Sequence, residues 1–93
     1  MQLGTRIKEL RESKNLLQRQ LAAELEIDTP MYSKIERGER IAKREHVILL
    51  ANLLDTNPNE LLPVWLADKI LMTIENEDFQ IEAIQIALKK LKK

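Results

Sequence analysis

Residues 18–38 read QRQLAAELEIDTPMYSKIERG, and the rest of the fold is best worked out from this stretch. Its first part, Gln18–Leu25, predicts a helix of about two turns, because apolar residues recur there at helical spacing. The residues expected to face inward are Leu21, Ala22 and Leu25. Only Glu26 and Ile27 then precede the next helix signal, so the connection is very short.

The next signal is a helix start. Asp28 is suited to cap a helix, because its carboxylate can accept hydrogen bonds from free amides of the first turn. Thr29 and Pro30 follow at early positions, where a missing amide costs little. The helix is expected to run from Thr29 to Arg37 and to end before Gly38. Two short helices joined by a tight connection have helix-turn-helix spacing.

The flanking segments also predict helices. Only two glycines and three prolines interrupt the chain, and the alternation typical of strands is missing. Helices are expected at about Thr5–Ser13, Lys43–Leu54 and Glu60–Ile74. A last segment carries Ile81, Ile84, Leu88 and Leu91 at helical spacing. The pattern therefore predicts an all-α protein.

Length and composition exclude several classes of function. The 93 residues suffice for one compact domain, or for a small one with an extension. Cysteine is absent and His46 is the single histidine, so neither a metal site nor a cofactor is expected. The sequence shows no acid-base pair, nucleophile or phosphate loop, so an enzyme is not expected. No apolar run approaches the roughly 20 residues that span a bilayer, so a cytoplasmic protein without membrane contact is expected.

Charge is balanced overall but unevenly distributed. The 15 basic and 15 acidic residues cancel. Residues 29–44 nevertheless hold five basic and two acidic residues, a local excess of three positive charges. Compensating acid lies at Glu75, Glu77, Asp78 and Glu82. The neutral total therefore hides a basic face and an acidic patch elsewhere.

Residues in and around the central stretch resemble a known family. They are Ile7, Leu10, Arg11, Gln18, Leu21, Ala22, Leu25, Ile27 and the string SKIERG at 33–38. On these residues the chain resembles the lambda-repressor-like, or Xre, helix-turn-helix regulators over about residues 3–62. The resemblance implies a five-helix DNA-binding bundle over residues 1–62, whose third helix enters the major groove. Residues 63–93 would form a C-terminal helical extension packed on the same domain.

The resemblance also implies roles for individual residues. Those expected to read bases are Thr29, Pro30, Ser33 and Lys34. Those expected to bind phosphates are Gln18, Arg37, Arg40, Lys43 and Arg44. Arg11 and Glu36 would form an internal ion pair.

Three positions depart from the family pattern. Leu17 stands where Ser or Thr usually caps the second helix, Glu26 where the turn usually has Gly, and Ala42 where Pro is common. Leu17 should leave the amides of the second helix without a side-chain acceptor. Glu26 is expected to adopt positive φ, a conformation uncommon outside glycine.

The region after residue 60 predicts a dimer interface. The spacing of three, four and three from Ile81 to Leu91 is a short heptad-like seam. It either folds back on the fifth helix or joins a second copy. The residues expected at a homodimer interface are Trp65, Leu66, Ile70, Ile81, Ile84 and Leu88, although Trp65 also suits the core.

These observations predict a transcriptional regulator that binds double-stranded DNA as a homodimer on a palindromic operator. No sensor domain is expected, so concentration, dimerisation or a partner protein of unknown identity would control it. A restriction-modification controller, an autonomous repressor, an antitoxin and a phage regulator all fit. The alternative is a protein-interaction module on the same bundle with weak or no DNA binding, indicated by the neutral charge, Pro30 and the acidic 75–82 segment.

Overall fold

A computed structural model describes residues 2–92 and contains six helices in that range. They are α1 (Gln2–Ser13), α2 (Gln18–Leu25), α3 (Thr29–Glu36), α4 (Arg44–Leu53), α5 (Pro58–Thr73) and α6 (Gln80–Leu91). No strand occurs in residues 2–92, which confirms the all-α prediction. Met1 and Lys93, the outer limits of the two predicted domains, lie outside the described residues.

Two helices begin earlier than the periodicity predicts, because caps extend them. The carboxylate of Asp68 accepts hydrogen bonds from the amides of Gln2 (3.2 Å) and Leu3 (2.9 Å). It therefore caps α1 from a helix more than 60 residues away. Asn57 caps α5, since its side-chain oxygen accepts from the amide of Asn59 at 2.8 Å. Pro58 follows as the first helical residue, a position that suits proline.

The core is mainly aliphatic, with Tyr32 and Trp65 as its aromatic members, and is shared by α1 to α5. Helix α4 packs on α2 and α5, while α1 packs on α3 and α5. The largest side chains that are almost fully buried are Tyr32, Ile7, Leu50, Leu54, Leu61 and Val47. This burial holds α3 against α1 and α2 against α4.

Trp65 belongs to this core and not to a free surface. Only 6% of it is exposed, and its indole nitrogen donates to the carbonyl of Ala42 at 2.8 Å. The guanidinium of Arg44 and the ammonium of Lys69 lie over the ring, 5.4 and 4.5 Å from its centre. Trp65 therefore has little surface left for the dimer contact expected from the sequence, because helices and cations of its own chain cover it.

The amino-terminal half of α1 passes very close to the end of α3. A side chain at Gly4 would collide with the carbonyl oxygens of Ile35 and Glu36. Only glycine allows this approach, which brings the Gly4 side of α1 against the end of α3.

Helix α6 differs from the packed extension that the sequence predicts. Its residues are all exposed, and it is absent from the pairs of helices that pack extensively. Helix α5 runs continuously across the expected boundary at residue 62, and its first part is in the core through Leu61, Trp65 and Asp68. The predicted extension therefore divides into a part of α5 that is packed through Trp65 and Asp68 and an unpacked α6.

Candidate nucleic-acid interface

The turn between α2 and α3 is built from two local features. Glu26 adopts the left-handed conformation at φ 58°, as predicted, and its amide bonds back to the end of α2. Asp28 caps α3, since its carboxylate accepts from the amide of Met31 at 2.7 Å. The predicted helix-turn-helix geometry is therefore present, with a strained glutamate where glycine would be relaxed.

Helix α3 turns one side to the core and the other to solvent. Its buried residues are Tyr32, Ile35 and Glu36. The expected base-reading residues Thr29, Pro30 and Lys34 are exposed, and Ser33 is half-buried. Because α3 lies at the surface with these four side chains outward, that side can enter a groove of a duplex.

A buried carboxylate joins three helices beneath this surface. Glu36 accepts from Arg11 at 2.7 and 3.2 Å, and from the side-chain amide of Gln18 at 3.0 Å. Arg11 also donates to the carbonyl of Leu16 at 2.9 Å. The structure thus brings Arg11 and Glu36 together and ties Gln18, an expected phosphate contact, to the same carboxylate.

The ion pair shifts the acidity of Glu36. Burial acts to raise the pKa of its carboxyl, but the hydrogen bonds from Arg11 and Gln18 help to outweigh burial and hold the pKa below its ordinary value. The hydrogen bond with Glu36 likewise raises the pKa of Arg11. Both groups are therefore charged at neutral pH.

Arg37 is held on the exposed side of α3 by two neighbours. Its guanidinium donates to the hydroxyl of Ser33 and to the carboxylate of Glu39, both at 2.5 Å. The contact with Glu39 raises the pKa of Arg37 and lowers that of Glu39. A phosphate that binds Arg37 has to compete with Glu39, which therefore limits the positive charge of this face.

The residues that precede α2 and α4 provide no side-chain cap, whereas those that precede α3 and α5 do. At α2 the side chain of Gln20 instead accepts from the amide of Leu17 at 2.7 Å. Leu17 precedes α2 and provides no side-chain acceptor, as expected. Lys43 precedes α4 and provides none either. Arg40, Lys43 and Arg44 are exposed around the start of α4. Open helix amides beside basic side chains attract phosphate groups.

The structure adds one basic residue that the sequence analysis missed. Lys8 of α1 borders an open depression that is also lined by Gln18, Ser33 and Arg37. Periodicity indicates only that Lys8 is exposed. Its position beside α3 depends on the close approach of α1 at Gly4, which no local pattern reveals.

A family model described as helix-turn-helix matches residues 7–61, which is more than half of the chain. The chain belongs to this helix-turn-helix family. No curated protein and no solved structure matched.

Membership confirms the resemblance to the lambda-repressor-like, or Xre, regulators and identifies a DNA-binding helix-turn-helix regulator. The match in this helix-turn-helix protein spans α2, α3 and α4 and ends at Leu61, early in α5. The rest of α5 and all of α6 lie beyond it.

In residues 2–92, no three His, Cys, Asp or Glu side chains are placed to hold a metal ion. No helix in that range combines the length and apolar character needed to cross a bilayer.

Proposed function

We propose that this protein binds double-stranded DNA sequence-specifically as a homodimer on a palindromic operator and regulates transcription in the cytoplasm. The observation that carries the proposal is the exposed side of α3, flanked by the open amino-terminal ends of α2 and α4. Phosphates of the duplex that bind at these two helix ends would hold α3 in the groove, while the side chains of α3 read bases.

The side chains divide into two roles. Thr29, Pro30, Ser33 and Lys34 read base edges, and the ammonium of Lys34 suits the acceptors of guanine. The residues that bind phosphates are Gln18, Arg37, Arg40, Lys43 and Arg44. Phosphate contacts supply affinity that falls with salt, and base contacts supply discrimination.

Homodimer formation is supported by exposed apolar surface beyond the matched region. Helix α5 carries a second apolar side, opposite its buried one, which includes Leu66 and Ile70. Helix α6 adds exposed apolar side chains on one side, which include Ile81, Ile84 and Leu88. An apolar surface of this extent marks an interaction site in a soluble protein. A two-fold dimer would read half-sites about 34 Å apart.

The regulator fits the role of a restriction-modification controller or an autonomous repressor. A protein-interaction module or antitoxin with little DNA binding of its own is the second candidate. It is favoured by the zero net charge and by the pairing of Arg37 with Glu39.

Selection from a random duplex pool at about physiological salt tests the proposal. Enrichment of an inverted repeat, with affinity that falls steeply as salt rises, is the expected result. Failure to enrich any sequence with folded protein would favour the interaction module.

Single substitutions then test the two roles. Lys34→Ala should reduce the preference for operator over scrambled duplex by about ten-fold or more, because a base contact is lost. Lys43→Ala should weaken both duplexes to a similar extent, because phosphates are common to all sequences. Titration of both duplexes measures the ratio of operator affinity to scrambled-duplex affinity. An equal ratio in the two variants would contradict the assignment of roles.

A further inference from the structure

Helix α6 carries an apolar stripe that its own chain leaves uncovered. Ile81, Ile84, Leu88 and Leu91 recur at steps of three, four and three, and are 67, 38, 47 and 83% exposed. Residues at this spacing share one side of a helix. A stripe of four large aliphatic side chains exposed to water is unfavourable and indicates a partner.

The charges around this stripe are segregated along the chain. The acidic residues Glu75, Glu77, Asp78 and Glu82 precede the stripe or lie in the first turn of α6, whereas Lys89, Lys90 and Lys92 lie at its end. All seven are exposed, and none forms an ion pair with another described residue. The segment is therefore acidic at one end and basic at the other.

This arrangement is complementary to a reversed copy of itself. Two parallel copies would place lysines beside lysines and carboxylates beside carboxylates, which is destabilising. Two antiparallel copies place the basic end of each helix beside the acidic end of the other. In this antiparallel arrangement, Ile81 lies opposite Leu91 of the second copy and Ile84 lies opposite Leu88. The apolar contacts and the charged contacts therefore favour the same arrangement.

We propose that α6 pairs antiparallel with α6 of a second copy of this chain, and that this pairing aligns the two DNA-binding domains. The inference rests on the homodimer proposed above. Antiparallel pairing has a two-fold axis across the helices, as a symmetric dimer requires. Because two heptads are too few to hold two chains alone, the outer side of α5 at Leu66 and Ile70 extends the interface.

Disulfide trapping in the full chain distinguishes the two orientations. The protein has no cysteine, so introduced thiols react only with each other. A differently tagged mixture of Ile81→Cys and Leu91→Cys chains is oxidised in the presence of operator duplex. Antiparallel pairing should give the mixed 81–91 disulfide in large excess. The like positions would lie about 15 Å apart, beyond the reach of a disulfide.

The control variant is Ile86→Cys, because Ile86 lies on the opposite side of α6 and is similarly exposed. It should remain unlinked. Excess of 81–81 and 91–91 disulfides, or efficient linkage at residue 86, would overturn the inference. Dimer mass by analytical ultracentrifugation without the mixed disulfide would overturn it and leave the proposed homodimer intact. Monomer mass on operator duplex would overturn both.

Charge reversal is a second test that needs no cysteine. The variant Lys89→Glu/Lys90→Glu should weaken dimerisation about ten-fold, because four attractive contacts become repulsive. Adding Glu82→Lys to the same chain should restore it, because Glu82 of the second copy lies beside residues 89 and 90 in this register. In a parallel pair the first variant would not weaken the dimer, and the combined variant would restore nothing, so either result would reject the antiparallel arrangement.

Discussion

Glu36 shows how one residue links the stability of the fold to the proposed DNA-binding surface. Its carboxylate is buried, pairs with Arg11 of α1 and holds the side chain of Gln18 at the start of α2. Loss of its charge would leave Arg11 buried without a partner, which is costly in proteins. Glu36 therefore matters both for folding and for the position of an expected phosphate contact.

Glu36→Gln should lower the free energy of unfolding at pH 7 by about 3–5 kcal/mol, because it breaks a buried ion pair. The folded-state pKa of Glu36 lies below its ordinary value of 4.5. The stabilisation is therefore present above that value and is lost as pH falls through the folded-state pKa. The difference between variant and wild type should shrink on acidification. Urea unfolding followed by Trp65 fluorescence, between pH 7 and pH 3, measures it.

The double variant Arg11→Met/Glu36→Leu serves as the control for this prediction. Because it removes both charges, it should recover part of the loss. A difference between Glu36→Gln and wild type that stays constant across the pH range would contradict the argument.

Glu39 is the residue most directly opposed to DNA binding on this surface, because it neutralises Arg37. Glu39→Gln should raise duplex affinity several-fold and steepen the salt dependence by about one phosphate contact. Glu9→Gln changes the net charge equally, but Glu9 is in α1, where it pairs with Arg6 and lines a depression between α1 and α5. Binding titrations at several salt concentrations compare the two. An equal gain in Glu9→Gln would mean that net charge alone is responsible.

At the scale of elements, the turn between α2 and α3 carries local strain. Glu26 is held at φ 58°, where a side chain is unfavourable and glycine is not. Glu26→Gly should therefore raise the free energy of unfolding by about 0.5–1 kcal/mol. Glu24→Gly, the same change inside α2, should lower it by about 1 kcal/mol. Urea unfolding of both variants checks the opposite signs, and a loss in each would contradict the interpretation.

The capping of the helices could be predicted only in part from the sequence. The cap at Asp28 and the lack of a side-chain acceptor at Leu17 follow from side-chain chemistry next to the helix, and the structure agrees. The cap of α1 by Asp68 does not follow, because it depends on where α5 lies. Lys8 joins the candidate interface for the same reason. Contacts between residues far apart in the sequence depend on how the helices pack, so local sequence patterns do not predict them.

The two apolar sides of α5 have different surroundings in the whole molecule. One side fills the core, and the other exposes Leu66 and Ile70, the latter 54% exposed. Ile70→Glu should leave the unfolding temperature of the domain nearly unchanged. It should lower operator affinity about a hundred-fold or more, because two linked half-site contacts become independent.

Leu71→Glu is the matched control, since Leu71 is similarly exposed but borders the depression next to Gly38. Sedimentation and operator titration measure both variants. A fall in operator affinity for Leu71→Glu as large as that for Ile70→Glu would argue against the outer side of α5 as the dimer surface.

The all-α class, the positions of α2 and α3, the cap at Asp28 and the strained conformation of Glu26 could all be predicted from the sequence. These depend on spacing and on groups a few residues apart, which local chemistry controls. Only the tertiary structure decided that Gly4 brings α1 against α3, that Trp65 is buried, and that α6 stands uncovered. Those outcomes depend on which helix sides meet, and helical periodicity shows that a side is apolar without showing what it packs against.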